Sequence, residues 1–136
     1  MLFVDSSVWF AMMVDRDRGN QRAKTILTSH SDFMVTDHVV VETWLLLNSR
    51  HSRDAAEFFW KGIRSGAARV EPATPNDLDT AWAIDELYHH QDFSIVDRTS
   101  FAVMERLGIT RVASFDHHFA VYRYGPKRDR AFQIVR

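Results

Sequence analysis

The sequence predicts an α/β fold, a central parallel sheet of about five strands covered by helices on both faces. Two patterns lead there. Apolar runs of three or four residues, each stopped by a capping or turn residue, alternate with helical stretches of ten or more residues. Connections of that length join parallel strands, because a hairpin needs far fewer residues. The chain has 136 residues and a mass of 15.8 kDa, with 46% hydrophobic residues, which is enough for one core. A single domain over 1–136 is expected.

The first strand is Leu2-Phe3-Val4, and Asp5-Ser6-Ser7 stops it and opens a helix. From about Arg18 to His30, Ala23, Ile26 and Leu27 recur at helical spacing, and Phe33-Met34-Val35-Thr36 is the second strand. Asp37 is expected to cap a helix from His38 to about Ser49, and a further helix spans about Arg53 to Ser65, ending near Gly66. Ala68-Arg69-Val70-Glu71 reads as the third strand, closed by Pro72 and Pro75. A helix then begins at Thr74 or Pro75 with Leu78, Ala81 and Trp82 on one face. Ser94 begins another, carrying Phe101, Val103, Met104 and Leu107, and Gly108 ends it. Arg111-Val112-Ala113-Ser114 is the fourth strand, Asp116 caps a short helix, and Phe132-Gln133-Ile134-Val135 is a fifth strand at the sheet edge.

Composition excludes several classes of function. Seventeen basic residues against 18 acidic ones leave a formal charge of −1, so attraction to a polyanion has to come from local patches. There is no cysteine, which removes disulfides, thiolate zinc sites and cysteine nucleophiles, and fits a reducing cytoplasm. The N-terminus has no basic leader, and the longest apolar stretch, Val39–Leu47, is interrupted by Glu42, so neither export nor a membrane partner is expected. Arg123, Lys127, Arg128, Arg130 and Arg136 oppose only Asp129; a solvated basic tail is the first reading and a nucleic-acid contact the second.

In a parallel sheet, ligands bind beyond the carboxyl ends of the strands, and there the chain carries acids. Asp5 follows the first strand, Glu42 lies about a turn into the helix after the second, Asp97 belongs to the opening turn of the Ser94 helix, and Asp116 follows the fourth strand. Taken singly, Asp5 and Asp116 read first as helix caps. Asp97 stands where a capping box with Ser94 would put it, although Glu or Gln is usual there and Asp reaches back less well. Glu42 has His38, Val39, Leu45 and Leu46 three and four residues away on the helix and Val40, Val41 and Trp44 flanking it, so its carboxylate needs a partner, either an arginine or a metal. Together, carboxylates converging on one sheet edge repel unless a cation sits among them. Oxygen-only donors select Mg²⁺ or Mn²⁺ and suit phosphoryl transfer. Ser6, Ser7 and Ser114 read as groups that orient the acids or as simple caps, and Asp92 as a further acid nearby. Glycine-rich phosphate loops and an acyl-transfer serine motif are absent, and the pairs His89-His90 and His117-His118 are spaced poorly for chelation.

Four segments in order, Phe3-Val4-Asp5-Ser6-Ser7, Thr36 to Glu42, Phe93 to Phe101 and Ser114-Phe115-Asp116-His117-His118-Phe119, resemble the PIN domain, and within it the VapC-type toxins of toxin–antitoxin modules. The resemblance covers nearly the whole chain. It implies an endoribonuclease dependent on Mg²⁺ or Mn²⁺, a homodimer, and inhibition by a cognate antitoxin. It places the catalytic and metal-binding quartet on Asp5, Glu42, Asp97 and Asp116, with Ser6, Ser114 and Asp92 around them. Ser114 stands where family members often have threonine. The alternative is a PIN-like RNA-binding or scaffold protein that has lost catalysis, which would be expected to lack one or more of the four acids.

Overall fold

A computed structural model describes residues 1–136, and its order of elements follows from the alternation in the sequence. Strand β1 (Leu2–Val4) leads into α1 (Ser6–Met13) and α2 (Asn20–Ser29), and β2 (Phe33–Thr36) into α3 (Asp37–Arg50) and α4 (Arg53–Arg64). Strand β3 (Arg69–Glu71) is followed by α5 (Pro75–Leu87) and α6 (Ile95–Leu107). The chain ends with β4 (Arg111–Ala113), α7 (His118–Val121), the short strands β5 (Arg123–Tyr124) and β6 (Arg130–Ala131), and β7 (Gln133–Val135).

Five strands form one parallel sheet in the order β3-β2-β1-β4-β7. The chain winds outward from β1 through β2 to β3, then returns to the other side of β1 to lay down β4. Right-handed crossovers therefore put the first helices on one face and the later ones on the other. The reversal falls between β1 and β4, whose registers pair Phe3 with Val112 and Val4 with Ala113. A crevice at the carboxyl ends of these two strands is the consequence.

Leu2, Phe3, Val4, Val112 and Ala113 are fully buried, so the central strands are apolar on both sides, as a sheet covered on both faces requires. They belong to a cluster of 28 buried residues that also takes in Val8, Ile26, Leu47 and Met104. Phe101 stacks on Tyr122 at 4.3 Å and meets Phe119 edge-on at 5.0 Å, tying α6 to α7.

The structure corrects several local expectations. The cap of α3 is Thr36, whose hydroxyl accepts from the Val39 amide; Asp37 is the first helical residue, and its carboxylate accepts from the Ala73 amide instead. On α5 the buried residues are Asp77, Ala81 and Ile84, while Leu78 and Trp82 face outward, Trp82 at 72% exposure. Asp77 is held there by a bidentate Arg106 guanidinium from α6, so an acid takes a position that a hydrophobic stripe would assign to leucine. The basic C-terminal stretch forms the antiparallel pair β5–β6 around Gly125, whose φ of 90° suits a residue without a Cβ. The short helix α7 begins at His118, one residue later than a cap at Asp116 would give, yet Asp116 still accepts from the His118 amide.

Candidate functional site

The crevice between β1 and β4 is an open cleft of about 450 Å³, and Asp5, Glu42, Asp97 and Asp116 all line it. Each arrives by a different route. Asp5 is the residue after β1 and the N-cap of α1, 3% exposed, with its amide donating to the Ala113 carbonyl of the neighbouring strand. Glu42 projects from the second turn of α3, Asp97 from the first turn of α6, and half-buried Asp116 from the turn after β4.

Neutral hydroxyls position the carboxylates. Ser7 Oγ and Ser114 Oγ donate to Asp5 Oδ2 at 2.8 and 3.0 Å, and Ser6 Oγ donates to Glu42 Oε1 at 2.6 Å. Ser114 Oγ also accepts from the Asp116 amide, and Ser7 Oγ from the Phe115 amide, so the two serines clamp the turn after β4 to the end of β1. Asp97 Oδ2 accepts from the Ser94 amide at 3.0 Å while Ser94 Oγ accepts from the Asp97 amide; the capping box forms with Asp in place of Glu. Capping and cleft lining are therefore not alternatives for Asp97. One oxygen caps the helix and the other makes no hydrogen bond. The pattern recurs. Glu42 Oε2 and Asp116 Oδ2 are unbonded, and Asp5 Oδ1 has only Ser6 Oγ at 3.5 Å, a hydroxyl already committed to Glu42.

The charge in the cleft is unbalanced. No lysine or arginine forms an ion pair with any of the four acids, so the arginine partner considered for Glu42 is not present. Burial, followed by the charge of Asp97, pushes the Asp5 carboxyl from 3.8 up to about 6, against the pull of Ser7 and Ser114. Burial and the neighbouring carboxylates also raise Glu42 above its ordinary value, against the Ser6 hydrogen bond. Asp97 is raised by burial, against its cap and His118. Four acids share this crevice and each keeps an oxygen free, and carboxylate oxygens are the donors that Mg²⁺ and Mn²⁺ prefer. The donor set fits a divalent metal.

Asp92 reaches the cleft rim but is exposed and joins none of these hydrogen bonds. Three further titratable residues line the same cleft: Asp17, Arg50 and His118. His118 lies against both Asp97 and Asp116, a contact that the pairing with His117 in the sequence does not announce. Asp116, His117 and His118 do offer ligand atoms within 4.8 Å of one another, but His117 is exposed and outside the cleft lining, which makes the four carboxylates the better-founded site.

Residues 2–123 match the PIN domain. The chain is 36% identical over 121 residues, 88% of its own length and 92% of the other's, to the 23S rRNA-specific endonuclease VapC20 of Mycobacterium tuberculosis. The crystal structure of that protein, described as a Sarcin-Ricin loop cleaving toxin, superposes with a TM-score of 0.81 at 35% identity, covering 86% of this chain and 91% of that one. The same fold recurs in a toxin–antitoxin complex from Klebsiella pneumoniae, with a TM-score of 0.65, 12% identity and coverage of 100% and 97%. It recurs again in FitAcB from Neisseria gonorrhoeae, with a TM-score of 0.64, 17% identity and coverage of 87% and 89%.

Proposed function

The chain belongs to the PIN-domain family and is a ribonuclease toxin of the VapC type, and from that premise we propose that Asp5, Glu42, Asp97 and Asp116 hold Mg²⁺ or Mn²⁺ for hydrolysis of RNA phosphodiester bonds. The observation that carries this reading is the quartet of carboxylates in one cleft, Asp5 and Asp97 buried and Glu42 and Asp116 half-buried, with no lysine or arginine paired to it. A divalent ion bound there would supply Lewis acidity, lowering the pKa of water and stabilising charge on phosphate oxygens. The protein's own contribution is preorganisation. Ser7 and Ser114 lock the Asp5 rotamer, Ser6 aims Glu42, and the α6 cap fixes Asp97, so binding has little ordering left to do. Arg50, the one guanidinium lining the cleft, is placed to meet the phosphate backbone of the substrate.

Residues 1–136 act as one such domain. The partners are RNA, a cognate antitoxin whose basic side chain enters the acidic cleft, and a second copy of the chain docked on the apolar face of α5, where Leu78, Trp82 and Leu87 are exposed. The alternative of an inactive RNA-binding domain loses its ground, because all four acids are present and face one cleft. The test is cleavage of total RNA, with 23S rRNA as the first species to follow, by purified protein in Mg²⁺, in EDTA, and by Asp5→Asn. Cleavage that needs the metal and Asp5 supports the reading; cleavage that survives both EDTA and Asp5→Asn overturns it.

A further inference from the structure

His118 lines the cleft beside two of its acids. Its Nδ1 lies 2.8 Å from Asp97 Oδ2 and 3.1 Å from Asp116 Oδ1, and its backbone amide donates to the same Asp116 oxygen at 2.8 Å. An ionised carboxylate only accepts, so the proton between these groups sits on Nδ1. The ring has little freedom to leave. It is mostly buried, it meets Phe93 edge-on at 5.3 Å, and the next residue, Phe119, is fully buried against Phe3 and Phe101. Both oxygens that face His118 are tied, whereas Asp97 Oδ1 and Asp116 Oδ2 carry no hydrogen bond. One side chain therefore lies against two acids that repel each other, at the same oxygen of each that a backbone amide, of Ser94 or of His118, also holds.

We propose that His118 is a positioning residue, whose Nδ1–H donates to Asp97 Oδ2 and whose ring lies against Asp116 Oδ1, so that one oxygen of each acid is turned toward His118 and the other is free for the metal. The inference rests on the metal-centre reading above. The role belongs to the donor at Nδ1, so it is transferable to another side chain that places an N–H there. The Asn amide nitrogen can occupy that place, the Gln amide reaches the Nε2 position instead, and Ala offers nothing.

Mn²⁺ binding to the purified full chain at pH 7.5, followed by electron paramagnetic resonance, tests it on wild type, His118→Asn, His118→Gln and His118→Ala, with melting in EDTA as the check on folding. Loss of an outer partner of a metal ligand weakens affinity about 10- to 100-fold. The expected order is wild type, then His118→Asn within a few-fold, then His118→Gln and His118→Ala weaker by that factor, with RNA cleavage recovering at saturating Mn²⁺ in each folded variant. Equal affinity in His118→Ala and wild type overturns the proposal, as does His118→Asn binding no better than His118→Gln. If His118→Ala does not fold, the comparison of Asn with Gln decides. Absence of Mn²⁺ binding by the wild type itself defeats the metal centre, and this proposal with it.

Discussion

At Asp5, side-chain hydrogen bonds from Ser7 and Ser114 do not offset the cost of burying a charge at 3% exposure beside Asp97, and the carboxyl is left near 6. The sign of its effect on stability follows. Between about pH 4 and 6 the metal-free native state keeps a proton that the unfolded chain has released, so stability falls as pH rises through that window. The difference between 3.8 and about 6 corresponds to about 3 kcal/mol at most. Glu42 and Asp97 are raised as well and act in the same direction. Urea unfolding in EDTA should therefore show a decline from pH 4 to 6, and saturating Mn²⁺ should remove it, because the bound ion holds the carboxyls ionised. Asp5→Asn keeps an acceptor for both serines and discards the charge. At pH 7 in EDTA it should be more stable than wild type by roughly 1 to 3 kcal/mol, while RNA cleavage falls by at least roughly 100-fold. A variant that lost stability and activity together would show Asp5 to be a structural acid.

Among the elements, α6 shows how a short stretch serves two ends. Ser94 and Asp97 start the helix, and the same Asp97 overhangs the cleft. Ser94→Ala should cost about 1 kcal/mol of stability and leave cleavage within a few-fold of wild type, because the Ser94 amide that holds Asp97 Oδ2 remains. Thermal melting beside an RNA cleavage time course separates the two effects. The sequence shows that Asp97 sits at the third position of that helix, but it cannot show that one oxygen caps while the other stays free, since that depends on a rotamer held both by the Ser94 amide and by His118 from α7. The α5 helix was less readable. Leu78 and Trp82 share a helical face and look like core, yet the Asp77–Arg106 pair turns the opposite side inward. An acid buried by a partner 29 residues away leaves no local periodic signal. The exposed face is where self-association is expected: light scattering at micromolar concentration should give a dimer for wild type and a monomer for Trp82→Glu, and a dimer in both would move the interface elsewhere.

For the whole molecule, the strand pattern alone was enough to read the parallel sheet and its edge strand β7, because each apolar run is short and separated from the next by a helix-length connection. The same pattern placed four acids at strand ends or helix starts. What it could not supply is the strand order, and it is the reversal between β1 and β4 that turns four separate acids into one cleft. The hairpin β5–β6 was hidden because two-residue strands carry too little alternation to register. No helix is long and apolar enough to cross a membrane. The cleft is proposed to bind a divalent cation. Calorimetric titration of Mn²⁺ into the EDTA-stripped and dialysed protein at pH 6, in two buffers of different ionisation enthalpy, tests it most directly. Saturable binding accompanied by proton release is expected, since an Asp5 carboxyl with a pKa of about 6 must give up its proton to become a ligand, and Asp5→Asn should lose most of both. Absence of saturable heat in the wild type, or binding undiminished in Asp5→Asn, would contradict it.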